Sequence, residues 1–114
     1  MLSKPQRLQK TSDFDQVFKK GRRKSGEGLL LAMFATNRTV SRFGFVVSKK
    51  VSNKTTVRNL VKRRLRYAIA KHLRAIKPGF DCVFLAKPKL AREDYAVLER
   101  EVLALLSRAD LFKK

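Results

Sequence analysis

The stretch TVRNLVKRRLRYAIAKHLRAI, residues 56–76, decides how the rest of the chain must be arranged. Projected as a helix at about 100° per residue, it divides into two arcs. Val57, Val61, Leu65, Ala68, Ile69 and His72 share one side; Asn59, Lys62, Arg63 and Arg66 share another, with Arg58 on the border. An apolar arc of this width must be buried, so the stretch reads as a helix lying on a sheet with its cationic side outward. Thr55 or Thr56 can cap its start, and Pro78-Gly79 stops it. Like charges four residues apart, Arg58/Lys62 and Lys62/Arg66, weaken an isolated helix by about 0.2–0.5 kcal/mol each. A helix shaped only for solubility would mix in glutamate, and this one has none. A bound polyanion explains the pattern better than a solvated basic face.

The flanking segments supply the sheet. Leu29–Ala35 is a strand candidate, residues 37–39 a polar turn, and residues 41–47 a second strand rich in Val and Phe. Phe80–Ala86 is short and almost wholly apolar, which marks a central strand. Ahead of these, Ser12 and Asp15 have capping-box spacing and Gly21 is placed to end a helix carrying Phe14, Val17 and Phe18 on one face. Residues 22–24 read as a basic connector. A last helix spans about residues 93–107, with Leu98, Val102, Leu105 and Leu106 as its core stripe and Glu93 and Asp94 at its N-terminal dipole. The order is α-β-β-α-β-α, with a further strand available in the early β region. This is a single-domain α+β sandwich, one mostly antiparallel sheet with helices packed against it.

Charge gives the functional class. Twenty-eight Lys and Arg face nine Asp and Glu, a formal net charge of +19 in 114 residues. Between Glu27 and Asp81 there is no acidic residue but there are thirteen Lys or Arg. Self-repulsion of that size is tolerable where a phosphate backbone screens it. With 44% hydrophobic residues the chain can nevertheless build a core. No apolar run approaches the roughly 20 residues of a membrane span, and no apolar stretch follows Lys4 and Arg7 as a secretory signal would require. The lone Cys82 cannot form an internal disulfide, in keeping with a cytoplasmic protein.

Catalytic chemistry is harder to place. The acids Asp13, Asp15, Glu27, Glu93, Asp94, Glu99, Glu101 and Asp110 lie towards the chain ends, and Asp81 stands apart. None forms a metal motif, His72 sits on the apolar arc, and Cys82 lies inside an apolar strand. The guanidinium groups of Arg58, Arg63 and Arg66 can each grip a phosphate with two bonds, and Asn59 can reach a base edge or a sugar hydroxyl.

Ser48-Lys49-Lys50-Val51 followed by Val57-Arg58-Asn59, Lys62-Arg63 and Arg66 resembles the signature of the bacterial ribonuclease P protein family. Arg7-Leu8, Phe14, Phe18-Lys19-Lys20-Gly21, the 80–86 strand and Lys87-Pro88 extend the resemblance over nearly the whole chain. It implies the small subunit of a ribonucleoprotein endoribonuclease that removes the 5′ leader of precursor tRNA. The catalysis would belong to the RNA subunit and its magnesium ions, with no cofactor on the protein itself. The partners implied are the ribonuclease P RNA and precursor tRNA, with neither membrane nor DNA. Lys49, Lys50, Arg58, Asn59, Lys62, Arg63 and Arg66 would contact RNA. Phe14 and Phe18, with Arg58 and Asn59, would line a leader-binding cleft, the rings stacking on unpaired bases. A ribosomal-protein-like fold with a left-handed β-α-β crossover is implied as well.

The chain departs from the family's pattern at three places. Leu60 stands where many members carry Arg, Tyr67 where an acidic residue is common, and Ala32 where some place a leader-stacking Tyr. The alternative reading is a ribosomal protein or RNA chaperone of similar fold. Such a protein has no reason to combine paired phenylalanines with an R-N-x-x-K-R-x-x-R helix.

Overall fold

The two most apolar runs become neighbours at the centre of one sheet. The computed structural model describes residues 2–114. Its elements are α1 (Thr11–Lys20), β1 (Arg22–Ser25), β2 (Leu29–Ala35), β3 (Arg42–Val46), α2 (Thr55–His72), β4 (Phe80–Ala86) and α3 (Tyr95–Arg108). The strand order is β1-β2-β4-β3. β2 and β4 pair antiparallel along their full lengths, from Leu29 opposite Ala86 to Ala35 opposite Phe80. β3 runs parallel to β4, so the chain crosses between them through α2.

Strand alternation gives the sheet two different faces. On one, Leu29, Leu31, Met33, Phe43, Phe84 and Cys82 pack against Val61, Leu65, Ala68 and Ile69 of α2 and the Leu98–Val102–Leu105–Leu106 stripe of α3. Both helical stripes read from the sequence are therefore buried; Val57 and His72 lie at the margin, half-buried. The other face is covered by α1 alone, with Val17 over Ala32 and Val83. This asymmetry leaves part of one face open.

Several local expectations are corrected. Residues 22–24 are not a connector but most of the edge strand β1, paired antiparallel with β2. A cationic edge strand hides from hydrophobic patterning, and its charge discourages pairing with another chain. Neither Ser12 nor Thr55/Thr56 caps a helix; the caps are Lys10 and Lys54, in extended conformation and without side-chain capping bonds. α2 ends at His72 and passes into a 3-10 turn over Leu73–Ala75, short of residue 76. Residue 93 precedes α3, whose cap is Asp94 with its carboxylate accepting from the Val97 N–H at 3.0 Å.

Gly21 ends α1, but with φ −79°, a value any residue adopts. The site demands smallness instead: a Cβ there would lie 2.4 Å from the Val17 carbonyl oxygen and 2.5 Å from that of Met33. Because both obstacles are backbone, one within α1 and one in β2, Gly21→Ala must distort the end of α1 and push it from β2, and should cost about 2 kcal/mol, as overpacking does. Urea unfolding would measure it; an unchanged midpoint would show that α1 is not held this closely.

Cys82 is buried, and desolvation, with the neighbouring Asp81 charge, pushes its thiol well above the ordinary cysteine range. A thiol-directed alkylating reagent should therefore label it only after the chain is unfolded. Labelling of the native protein at the rate of a free thiol would contradict the packing.

Candidate nucleic-acid interface

Successive rows across the open face define a cleft. One row, Phe34–Asp81–Arg42, lies under the start of α1; the next, Ala32–Val83–Gly44, lies beneath its middle. The third row, Leu30–Leu85–Val46, crosses three strands and stays half-exposed, an apolar floor not fully covered by α1. It lies at the end of β3 from which the chain leaves for the loop of residues 48–54 and the cationic start of α2.

The wall formed by α1 is set by a buried ion-pair network. Arg42 donates to both oxygens of Asp81, at 2.9 and 2.6 Å, and its third nitrogen reaches Asp13 of α1 at 3.3 Å. The hydrogen bonds to Asp81 hold the guanidinium's pKa above its ordinary value, against the opposing effect of burial. Asp13 fixes the position of its neighbour Phe14. The tip of the Phe14 ring sits over Gly44, where an added Cβ would come within 2.4 Å of it.

Phe14, Gly44 and Phe45 line a groove of about 320 Å³ together with Arg7, Lys62 and Arg66. An aromatic ring of α1 and two cations of α2, distant in sequence, thus share one depression along the edge of β3. Lys62 and Arg66 are one helical turn apart, which directs both into it. Phe18, one turn after Phe14, is half-buried on the same apolar cluster, and the Arg23 guanidinium lies 5.7 Å from its ring centre. Phe18 does not line the Phe14 groove.

The remaining expected residues divide. Asn59, Arg63, Lys49 and Lys50 are exposed. Arg58 is turned elsewhere: it donates to the carbonyl oxygens of Ser52 and Asn53 at 2.9 and 3.0 Å and to Thr55 Oγ1 at 3.1 Å. It therefore clamps the loop that carries Lys49 and Lys50. Ala32 is fully buried beneath α1, so a larger residue there would meet the helix rather than line the cleft; Leu30 and Phe34 are the half-exposed residues of that strand face. Leu60 is half-buried and Tyr67 is 60% exposed, its ring edge against Tyr95 with centroids 5.5 Å apart. Sequence reading missed the Leu30–Leu85–Val46 floor, because in β2 and β4 every residue but Asp81 is apolar whichever face it serves. It noted Arg7 only as a point of resemblance.

Most of the carboxylates are otherwise engaged. Glu99 accepts from Lys71 and pairs with His72 Nε2 at 3.0 Å, and the His72 hydrogen bond is the largest influence lowering its pKa. Glu101 holds the Gly28 N–H. Among the described residues no three His, Cys, Asp or Glu side chains gather as metal ligands.

Comparison with known proteins identifies the family. The family model described as Ribonuclease P matches residues 2–110. This chain belongs to the ribonuclease P protein family. Among similar sequences, the ribonuclease P protein component of Synechocystis sp. is 39% identical over 111 residues, covering 96% of this chain and 90% of that one. That of Clostridium novyi is 36% identical, covering 97% and 99%. The ribonuclease P protein of Thermotoga maritima superposes with a TM-score of 0.82 at 32% identity, covering 90% of this chain and 96% of that one. The Staphylococcus aureus protein shares the fold, with a TM-score of 0.86 at 24% identity, covering 95% and 98%. Family membership makes the chain a subunit of the ribonucleoprotein endoribonuclease and disfavours the ribosomal or chaperone alternative.

Proposed function

We propose that this subunit works by holding two RNAs at once: the ribonuclease P RNA on the cationic face of α2, and the unpaired 5′ leader of precursor tRNA in the cleft beside α1. The observation that carries this reading is the shared groove, where the Phe14 ring lies beside Lys62 and Arg66. Aromatic rings stack on unpaired bases of any sequence, and flanking cations hold the backbone phosphates. Phe18 and the Leu30–Leu85–Val46 floor extend the stacking surface. Asn59, Arg63, Lys49 and Lys50 continue the phosphate contacts on exposed positions. Arg58 contributes chiefly by ordering the 48–54 loop, a positioning role rather than the direct contact that resemblance implies.

Bond cleavage falls to the RNA subunit and its magnesium ions, with no cofactor held by the protein. The paired and dispersed carboxylates described above support this division of labour. A role in tRNA processing supports a cytoplasmic location, and a lone free cysteine is in keeping with it. Among the described residues no helix is long and apolar enough to cross a membrane.

The test compares affinity of the assembled ribonucleoprotein for precursor and mature tRNA. The wild-type subunit should favour the precursor, and Phe14→Ala with Phe18→Ala should lower that preference roughly thirtyfold, two base stacks at about 1 kcal/mol each. An unchanged preference in the double variant would remove the leader from this cleft.

A further inference from the structure

The two ends of α1 are each held by an arginine from a different edge strand. At the start of the helix, Arg42 of β3 bonds Asp13, the neighbour of Phe14. At its end, Arg23 of β1 makes two contacts with Phe18. Its Nη2 donates to the Phe18 carbonyl oxygen at 2.7 Å, and its guanidinium carbon lies 5.7 Å from the ring centre. We propose that Arg23 is a positioning residue for the tRNA leader, holding the Phe18 ring where an unpaired base can stack on it. The inference rests on the function proposed above, and concerns a residue outside the motifs that carry the family resemblance.

Strand alternation singles out Arg23 for this role. It stands opposite Ala32, so its side chain rises on the α1 side of the sheet, in the row that continues through Val83 and Gly44. Arg22 and Lys24 stand opposite Met33 and Leu31, whose side chains belong to the other face. Of the three cations of β1, Arg23 is therefore the one directed to the cleft. Among the described residues it pairs with no carboxylate, so its place over Phe18 is not set by a salt bridge.

The two contacts constrain Phe18 at its backbone and at its ring. The last carbonyls of a helix lack intrahelical partners, and Arg23 satisfies the one belonging to the residue that bears the ring. The same planar cation is attracted to the face of that ring. The sheet itself offers little lateral support, because the residue of β2 beneath α1 here is Ala32, with a single methyl group. Phe18 stays half-exposed with the arginine in place, so the ring remains within reach of a base. A ring oriented before the leader arrives has less freedom to lose on binding, which is how a residue that touches Phe18 alone can set leader affinity.

A double-mutant cycle tests this. Affinity of the assembled ribonucleoprotein for precursor and for mature tRNA is measured with five subunits. These are the wild type, Arg23→Ala, Phe18→Ala, the two combined, and Arg22→Ala, which removes equal charge from the other face of β1. Phe18→Ala should lower the preference for precursor roughly fivefold, and Arg23→Ala roughly threefold, a share of the same stack. Because Arg23 acts through the ring, the double variant should be no worse than Phe18→Ala, and Arg22→Ala should keep the wild-type preference. A purely structural role at the end of α1 would weaken binding of both tRNAs alike and leave their ratio unmoved. An unchanged ratio in Arg23→Ala, or an equal loss in Arg22→Ala, would therefore overturn the proposal. So would losses that multiply in the double variant, since Arg23 would then meet the leader by itself. An unchanged ratio in Phe18→Ala would overturn the leader-binding role of the cleft, and the inference with it.

Discussion

Replacing Asp81 by alanine should destabilise the protein by about 3–5 kcal/mol, the usual cost of removing one partner from a buried ion pair. Asp81 has only 3% of its side chain exposed and Arg42 only 14%, so the guanidinium left behind could not recover its hydration. Its one remaining carboxylate, Asp13, is the longer contact at 3.3 Å. Much of a small domain's total stability would be lost, and a large unfolded fraction at room temperature is the expected observation. Urea unfolding of Asp81→Ala, Arg42→Leu and the Asp81→Leu/Arg42→Leu pair separates two causes. If the penalty is an orphaned charge, the double leucine variant should recover most of the loss, because it removes both charges and fills the volume. If it remains as unstable as either single variant, the network matters for shape rather than for charge balance. The network also holds the start of α1, so Asp81→Ala should weaken RNA binding even in the fraction that stays folded.

The second large effect concerns the two cations that α2 directs into the Phe14 groove. Lys62→Ala with Arg66→Ala should reduce affinity for ribonuclease P RNA roughly a hundredfold, two charge-assisted hydrogen bonds at about 1.5 kcal/mol each. Fold stability should change little or rise slightly, since the pair stands four residues apart on the helix and repels. The dependence of binding on salt should become shallower by roughly 1.5, reporting two fewer neutralised phosphates. Filter binding across a salt series, with unfolding curves beside it, measures both. Unchanged affinity and slope in the double variant would mean that this face of α2 does not touch RNA.

How much of this could be read from the chain depends on which physical signal each part carries. Periodicity made the core faces of α2 and α3 legible, because packing a helix on a sheet demands one apolar stripe whatever the partner. Leu29–Ala35 and Phe80–Ala86 could be bounded to the residue because polar turns and glycine flank continuous apolar runs. β1 could not, since Arg22–Ser25 owes its strand state to hydrogen bonds with β2 and to nothing in its own pattern. Helix starts were misplaced because Ser12 and Thr55 have the right chemistry for capping while lysines occupy the cap positions. In the candidate site, the motif helix placed Lys62 and Arg66 correctly on an outward arc. The bonds of Arg58 to the Ser52 and Asn53 carbonyls were not legible, because a long side chain at the border of an arc can turn back onto a loop, a choice that helical projection does not see.

Leader release tests the account's central claim most directly. The purified protein would be added to a bacterial ribonuclease P RNA and a precursor tRNA at low magnesium, and appearance of the free 5′ leader followed over time. The account predicts cleavage that needs both components, with the protein alone inactive and Lys62→Ala/Arg66→Ala strongly impaired. A protein that binds these RNAs tightly yet leaves leader release at the level of the RNA alone would contradict it.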